Sequence, residues 1–255
     1  MSTAHATRAP YEGVLNIVRF NWPMFMTTAV VIVAGVAGAS LLEESRLRLP
    51  LAVFVVALTM GAVIALKVSH DIYDRSDLYR FGWLARARGA RPPQTAVFCQ
   101  TGFDDCSESL RERTVGTHWT LLDHYDPSTM TEPSIRRARR RCPPASGTIA
   151  ASYASWPMRD GTTDLVIAML SVHELRHDQE REAWFAEARR VTRADGRVIV
   201  VEHVRDLANL AVFGSGALHF HSVPTWTRNW ERSRLRLCET FRITPWVRVF
   251  VLEHA

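Results

Sequence analysis

Two apolar runs without a charged residue stand near the start of the chain. The first extends from Trp22 to Leu42 and the second from Leu49 to Leu66, with only EESRLR between them. A helix of roughly 20 apolar residues crosses a bilayer, so the pair predicts a transmembrane helical hairpin over 22–66. The alternatives are a cleaved signal peptide for the first run, or two helices buried in a soluble protein.

Basic residues on the two sides of this hairpin predict its orientation. The loop contains Arg46 and Arg48 beside Glu43 and Glu44. The flanks carry more basic residues, namely Arg8, Arg19, Lys67, Arg75, Arg80, Arg86, Arg88 and Arg91. Because basic flanks stay on the cytoplasmic side, we expect a multi-pass protein of the inner or plasma membrane. The N-terminal tail 1–21, both termini and the soluble domain should then be cytoplasmic.

The segment 67–93 mixes aromatic side chains with arginines, among them Tyr73, Tyr79 and Trp83. This mixture is typical of a helix at a membrane surface, and we expect one that ends near Gly89. An amphipathic helix packed on the soluble domain explains the same pattern. Two consecutive prolines at 92–93 are expected to mark the boundary of a soluble domain over 94–255.

Short apolar runs alternate with amphipathic stretches from Gln94 onward. Five strands are predicted, each followed by a turn or helix: 95–99, 118–123, 147–152, 163–170 and 197–202. Such alternation predicts an α/β fold, a Rossmann-like parallel sheet with helices on both faces. Two more runs, 237–244 and 246–253, are separated by Pro245 alone and predict a C-terminal antiparallel β-hairpin.

Ionisable residues follow the fourth and fifth predicted strands. SVHEL ends the fourth with His173, GRVIVVEH ends the fifth with Glu202 and His203, and HFHS adds His219. Parallel strands place their carboxyl ends at one edge, where ligands bind. We therefore expect these four residues around one crevice, with Asp123 at its edge and a histidine as general base. Capping and surface roles are the alternative.

The same residues raise the question of a metal. HELRH, residues 173–177, satisfies the HExxH pattern of zinc proteases, which requires both histidines on one helix face. Here the motif coincides with a strand end and a helix start, so that geometry is not expected. Histidine and carboxylate side chains suit Zn, Fe or Mn, but we assign no metal ligands.

Two segments resemble the class I S-adenosylmethionine-dependent methyltransferases. ASWPMRDGTTDLVIAMLSVHEL is similar to that family's Asp-Gly turn and following strand, and WFAEARRVTRADGRVIVVEH is similar to its E-x-x-RVLkPGGrlvvvE segment. The resemblance covers residues 94–255. It implies the corresponding fold, S-adenosylmethionine as cofactor and methyl transfer as the activity.

The resemblance also implies where the cofactor binds. The family's glycine-rich GxGxG turn is reduced here to VFCQTGFDD, with Gly102 alone. The carboxylate that accepts two ribose hydrogen bonds is Asp123 or Asp126 in LLDHYDPS. The family's acid after the third strand is replaced by Ser152. Trp156 and Ser171 complete the implied cofactor contacts.

The combined features predict a membrane-anchored methyltransferase that acts on a lipid or lipid-like molecule. LANLAVFGSGALHFHSVPTW, continued by Trp226 and Trp230, would form an apolar wall of the crevice. The net charge of +5 and the arginine run SIRRARRR favour an anionic membrane surface as partner, and no nucleic acid is expected. The alternatives are a degenerate fold that serves as a membrane-bound binding module, or a metal-assisted enzyme acting on a quinone-like lipid.

Overall fold

The computed structural model describes residues 8–42 and 46–255, which form two compact units that meet in sequence at Arg75 and Ser76. Residues 1–7 of the predicted tail and the loop residues Glu43 and Glu44 lie outside the described residues.

The described residues of the N-terminal unit form three helices. These are α1 (Glu12–Phe20), α2 (Trp22–Leu41) and α3 (Arg48–His70), which continues as one π-helical turn, Asp71–Arg75. Helix α1 lies within the predicted tail. Its first turn is held by the Asp74 carboxylate, which accepts hydrogen bonds from the backbone N–H groups of Gly13 and Val14 at 2.6 and 3.1 Å. An acidic side chain at a helix N-terminus satisfies N–H groups that have no partner within the helix.

Helices α2 and α3 pack antiparallel through small residues. Gly35 approaches Val55 so closely that a β-carbon on Gly35 would lie 2.4 Å from a Val55 methyl carbon, and Gly38 lies beside Leu51. Both helices are long and apolar enough to cross a membrane, by length and composition alone. Most of their large apolar side chains are exposed within this unit, for example Val33 at 68% and Val63 at 60%.

The C-terminal unit is built on a seven-stranded sheet in the order β3-β2-β1-β4-β5-β7-β6. The pairs among β1 to β5 are parallel, and β7 is antiparallel to both β5 and β6. Its strands are β1 (Thr95–Gln100), β2 (His118–Asp123), β3 (Ile149–Ala150), β4 (Thr163–Met169), β5 (Thr192–His203), β6 (Leu235–Thr244) and β7 (Val247–His254). The predicted parallel sheet with a C-terminal antiparallel hairpin is confirmed.

Six helices accompany this sheet. They are α4 (Gly82–Ala87), α5 (Ser107–Arg113), α6 (Pro133–Arg141), α7 (Asp178–Val191), α8 (Leu207–Phe213) and α9 (Val223–Arg232), with short 3-10 helices at Val172–Glu174 and Gly214–His219. The third strand is shorter than predicted, and β5 begins at Thr192, five residues before the predicted start. The ADG segment therefore lies within β5, where the register with β4 shifts, and does not stop the preceding helix.

The segment after Arg75 differs from its prediction. No single helix runs to Gly89: the helical turn ends at Arg75, and α4 begins only at Gly82. Leu78, Phe81, Trp83 and Leu84 are buried within the C-terminal unit. The Arg86 guanidinium pairs with Glu239 and covers the Phe241 ring at 4.1 Å. The compact unit consequently begins at Ser76 rather than at the two prolines, and α4 is an amphipathic helix packed on the sheet domain.

The core beneath α7 and α9 is aromatic. Trp184, Phe185, Trp226 and Trp230 are almost fully buried, and Phe185 contacts Trp226 and Trp230 edge to face. The prediction that Trp226 and Trp230 extend an apolar crevice wall is therefore wrong. Their spacing places both on the inward face of α9, where burial of such large rings stabilises the fold.

Candidate active site

Glu202 is the centre of a polar cluster where β4 and β5 end. Its carboxylate is completely buried. One oxygen accepts hydrogen bonds from the backbone N–H groups of Ser171 and His173 at 3.0 and 3.2 Å, and the other lies 2.7 Å from Nδ1 of His173. A buried carboxylate needs such partners to offset its loss of water. Glu202 therefore fixes both the chain after β4 and the orientation of the His173 ring.

His173, Glu174 and His219 form a compact group beyond Glu202. Nε2 of His173 lies 3.3 Å from a Glu174 carboxylate oxygen, and Nε2 of His219 lies 3.6 Å from the same oxygen. The two imidazole rings meet edge to face, with centroids 5.3 Å apart. Nδ1 of His219 lies 3.4 Å from the Glu132 carboxylate. The predicted convergence of His173, Glu202 and His219 is thus observed.

The charges in this group follow from its contacts. Burial lowers the pKa of His173, but its ion pair with Glu202 and its hydrogen bonds to Glu174 and Glu202 outweigh burial and raise the pKa to about 10. Burial acts to raise the pKa of Glu174, and hydrogen bonds with His173 and His219 outweigh it and lower the pKa. His173 therefore carries its proton at neutral pH, and this argues against the prediction that it acts as a general base.

His203 shares a ring neighbour, Phe220, with His173. Its ring stacks on Phe220 at a centroid distance of 4.8 Å, and its Nδ1 donates a hydrogen bond to the Trp246 carbonyl at 3.0 Å. Burial, together with the nearby positive charge of His173, lowers the pKa of His203 to about 4. The imidazole is neutral at physiological pH, but its side chain is buried. It lies near the predicted crevice without reaching the surface.

The remaining histidines of this region have other partners. Nε2 of His221 accepts a hydrogen bond from the Arg181 guanidinium at 3.0 Å. His177 precedes α7 and takes part in its capping box with Glu180. Because His173 belongs to the 3-10 helix and His177 to the cap of α7, the two do not share a helix face, as the sequence analysis anticipated for HELRH.

Asp123 is the last residue of β2, and its side chain forms an ion pair with another residue of the chain. Its buried carboxylate pairs with the Arg139 guanidinium at 2.6 Å, and Arg139 also lies over the Tyr125 ring at 4.5 Å. Asp126, the other candidate for the ribose hydroxyls, is exposed and accepts hydrogen bonds from the N–H and hydroxyl groups of Ser128 at 2.8 and 2.6 Å. Asp126 therefore stabilises a turn, whereas Asp123 is the last residue of β2.

The turn after β1 is covered by helix α6. Gly102 has a φ of +113°, in the region that favours glycine. A β-carbon there would lie 2.6 Å from a methyl carbon of Ile135. Gln100, at the end of β1, is buried, and neither polar atom of its side-chain amide has a partner among the described residues. The space that the glycine leaves is occupied by α6.

The other predicted cofactor contacts are divided between the crevice and its surroundings. The Ser171 hydroxyl donates a hydrogen bond to the Cys99 carbonyl, and the Ser171 backbone carbonyl accepts one from the Thr101 hydroxyl at 2.6 Å. Ser171 therefore links the chain after β4 to the end of β1. Trp156 is buried in the core, where it stacks on His124 at 5.4 Å. Ser152 is exposed in the turn after β3.

Helix α6 and the residue before it contact residues at the ends of β1 and β2 and also the histidine group beyond β4 and β5. Glu132, just before the helix, contacts His219, while Ile135 and Arg139 contact Gly102 and Asp123. The sequence alone predicts no role for Glu132 or Arg139, because an arginine run does not reveal which side chain turns inward. His124 was not predicted either, although it directly follows Asp123 at a strand end.

Comparisons with known proteins agree with this architecture. Residues 124–200, from the end of β2 into β5, match the family model described as a methyltransferase domain. The C-terminal unit has the class I methyltransferase fold. Mitomycin 7-O-methyltransferase MmcR has a TM-score of 0.56 at 19% identity, over 97% of this chain and 73% of its own.

Two further solved structures share the methyltransferase fold. A SAM-dependent methyltransferase from Aquifex aeolicus has a TM-score of 0.52 at 14% identity, over 75% of this chain and 97% of its own. The PH0226 protein from Pyrococcus horikoshii OT3 has the same TM-score and identity, over 71% of this chain and 91% of its own. No curated protein sequence matches the chain significantly. At these identities the likeness concerns the fold.

Proposed function

We propose that this protein is an S-adenosylmethionine-dependent methyltransferase, tethered to a membrane by α2 and α3, that acts on a lipid-like small molecule. The observation that carries the proposal is the exit of β2, where Asp123 directly precedes residues 124–200, the segment that matches the methyltransferase family model. A carboxylate at this point of a parallel sheet is suited to two ribose hydroxyl groups.

The residues around Asp123 fit the cofactor in kind. Gln100 is paired with Asp123 in the sheet register, and His124 follows it. The amide of Gln100 and Nε2 of His124 are buried without hydrogen-bond partners among the described residues. Buried polar atoms of this kind are costly unless a ligand or water satisfies them. Asp123 would hold the ribose hydroxyls, and Gln100 and His124 would contact other polar parts of the cofactor, which supplies the methyl group.

Binding requires a rearrangement of α6. The Arg139 guanidinium occupies the Asp123 carboxylate, and Ile135 lies against Gly102. Arg139 is partly exposed, with 31% of its side chain accessible, so its guanidinium can return to water at a small free-energy cost. The cofactor would then replace Arg139 as the partner of Asp123.

The substrate side of the crevice is assigned to the exits of β4 and β5. The side chains of Glu174 and His219 are partly accessible there, at 14% and 24%, while His173 holds its proton and His203 is buried. We assign Glu174 and His219 to the hydroxyl or amine that receives the methyl group, and Glu202 and His173 to positioning them. Leu207 and Leu218, exposed at 84% and 59%, lie on the segment that leads to His219 and favour an apolar substrate.

The membrane tether is supported by the composition and exposure of α2 and α3. Their apolar side chains point outward within the N-terminal unit, which is unlike the core helices of a soluble protein. Exposed arginines on α6, among them Arg136 and Arg140, would add attraction to anionic headgroups of about 1 kcal/mol each. Both termini would be cytoplasmic according to the basic flanks.

A second candidate function is a membrane-bound binding module without methyl transfer. It is favoured by one observation, the occupation of the Asp123 exit by Arg139 and of the glycine turn by Ile135. In that case Arg139 would be a permanent substitute for the cofactor.

Calorimetry of the full chain in detergent with S-adenosylmethionine separates the two candidates. The methyltransferase proposal expects saturable binding with a Kd in the micromolar range, equivalent to about −8 kcal/mol, and a similar affinity for S-adenosylhomocysteine. Absence of binding at millimolar cofactor, in protein whose folding is verified by circular dichroism, would favour the binding module.

A reporter experiment tests the tether. Fusions at either terminus should report the cytoplasm, and an insertion between Glu44 and Arg46 should report the opposite side. A full-length chain that remains in solution after the membranes are sedimented, without detergent, would contradict the proposed spans.

A further inference from the structure

We propose that His173, Glu174 and His219 bind a divalent transition-metal cation. One nitrogen of each histidine and one Glu174 carboxylate oxygen lie within 4.8 Å of one another. Metal–nitrogen and metal–oxygen bonds are about 2.0–2.2 Å long, so two ligands of one cation lie roughly 3–3.5 Å apart. From one Glu174 oxygen, Nε2 of His173 at 3.3 Å lies within this range, and Nε2 of His219 at 3.6 Å needs only a small inward shift.

The second nitrogen of each histidine strengthens this assignment. Nδ1 of His173 contacts the buried Glu202 carboxylate at 2.7 Å, and Nδ1 of His219 lies 3.4 Å from the Glu132 carboxylate. Metal-binding histidines commonly donate their other N–H to a carboxylate, which fixes the ring and selects the nitrogen that faces the cation. His173 has that arrangement, and Nδ1 of His219 has a carboxylate nearby without a hydrogen bond as short. In both residues Nε2 is the nitrogen that lies near Glu174.

Rigidity differs between the two sides of the site. Glu202 is held by the backbone N–H groups of Ser171 and His173, so the His173 ring is fixed before any cation arrives. His219 ends a 3-10 helix, and 24% of its side chain is accessible. The cation therefore has one preorganised ligand and an approach from solvent, and coordination positions not taken by the protein would face that approach.

Charge and ligand type indicate the class of cation. Three carboxylates, those of Glu132, Glu174 and Glu202, surround the two imidazoles, so a divalent cation reduces their mutual repulsion. Two imidazoles with one carboxylate suit Zn²⁺, Fe²⁺ or Mn²⁺, whereas Ca²⁺ and Mg²⁺ prefer oxygen ligands. On binding, the cation takes the place of the proton on Nε2 of His173, which passes to the solvent. The site requires no bound S-adenosylmethionine. With a cation bound, Glu174 and His219 would face the substrate hydroxyl or amine through the cation rather than directly.

Titration of the metal into the full chain tests the inference directly. The protein is prepared in detergent without a polyhistidine tag, stripped with a chelator, and titrated with Co²⁺ as an absorbing probe and then with Zn²⁺ as competitor. We expect one equivalent to bind, and visible absorption bands of coordinated Co²⁺ to disappear as Zn²⁺ replaces it. Elemental analysis after dialysis gives the stoichiometry.

Variants locate the cation. His219→Ala and Glu174→Gln should weaken binding at least 100-fold, and Glu132→Gln should weaken it about 10- to 100-fold through loss of the outer carboxylate. His118→Ala is the matched control, because His118 is an exposed histidine at the start of β2, at the other edge of the sheet from the site. This variant should bind the cation as the unmodified chain does. Circular dichroism verifies the folding of each variant. If His219→Ala does not fold, Glu132→Gln still tests the site, because it changes an exposed side chain.

Two results would overturn the proposal. One is an unmodified chain that binds no Co²⁺ or Zn²⁺, and the other is unchanged affinity in folded His219→Ala or Glu132→Gln protein. Because this readout contains no methyl transfer, failure of cofactor binding leaves it intact, and failure of metal binding leaves the proposed methyltransferase intact.

Discussion

The exits of β1 and β2 differ from those of β4 and β5 in how their buried charges are satisfied. At β2, Asp123 pairs with a single guanidinium that is partly exposed to water. At β5, Glu202 is fully buried and has three donors, two of them backbone N–H groups. We call the first arrangement the exchangeable half of this edge, because the proposed cofactor would replace Arg139 there. We call the second the fixed half, because backbone N–H groups hold Glu202 in place.

The largest expected difference between these halves is in stability. Glu202→Gln removes the closer and fully buried of the two carboxylates that pair with the His173 imidazolium, and we expect a loss of about 3–5 kcal/mol in the free energy of unfolding. Asp123→Asn should cost only about 1 kcal/mol, because the Arg139 guanidinium can turn to solvent. Chemical unfolding of both variants in detergent measures the contrast. Equal losses would mean that the Asp123 pair is as fixed as the Glu202 cluster.

Residues of the fixed half should also cause a loss of folding stability at acidic pH. His203 has a pKa of about 4 in the folded chain and about 6.5 when unfolded, and His173 and Glu202 are the charged groups that face it. Between these values the unfolded chain binds a proton that the folded chain does not. Stability from His203 is therefore full above pH 6.5 and is lost as the pH falls toward 4, by about 3 kcal/mol.

The variant His203→Gln isolates this contribution. It should lower stability at pH 7 and reduce the further loss between pH 6.5 and 4, as measured by unfolding at a series of pH values. Asp126→Asn, in an exposed turn, is the control and should follow the unmodified chain over this range, because its own titration lies lower. An identical pH dependence in His203→Gln and the unmodified chain would contradict the buried neutral imidazole.

The sequence predicts the fixed half better than the exchangeable one, for a physical reason. Apolar strands that end in His173, Glu202 and His203 can place these groups only where the chain leaves the sheet, so their convergence follows from topology. The arginine run of α6 fits equally well with every orientation of its side chains. Only tertiary packing selects Arg139 for Asp123 and leaves Arg140 exposed.

The boundary of the sheet domain illustrates the same limit. Two prolines at 92–93 interrupt local structure, and the sequence therefore places the domain start there. Leu78 and Trp83 nevertheless bury their side chains in the same unit as the sheet. Burial against residues far along the chain, such as the contact of Arg86 with Phe241, leaves no local periodic signal. The alternation of apolar runs with amphipathic stretches therefore predicts the fold class, but no local pattern predicts where the domain begins.

In the exchangeable half, the affinity for S-adenosylmethionine should depend on Asp123 and not on Asp126. Asp123→Ala should weaken binding of S-adenosylmethionine by about 1.5–3 kcal/mol, the range for hydrogen bonds to a charged group, or roughly 10- to 150-fold in Kd. Asp126→Ala is the matched control and should leave Kd unchanged, because that carboxylate serves a turn. Calorimetry measures both. A loss in Asp126→Ala with none in Asp123→Ala would reverse the assignment of the ribose ligand.

The smallest expected effect is a gain. If Arg139 competes with the cofactor for Asp123, then Arg139→Ala removes the competitor and should strengthen S-adenosylmethionine binding. The increase should be up to about 10-fold, since a partly exposed ion pair contributes on the order of 1 kcal/mol. Arg140→Ala, the exposed neighbour on the same helix, controls for the loss of one positive charge and should not change Kd. Weaker binding in Arg139→Ala would identify the guanidinium as a cofactor contact, and the β2 exit would then be a preformed site rather than an exchangeable one.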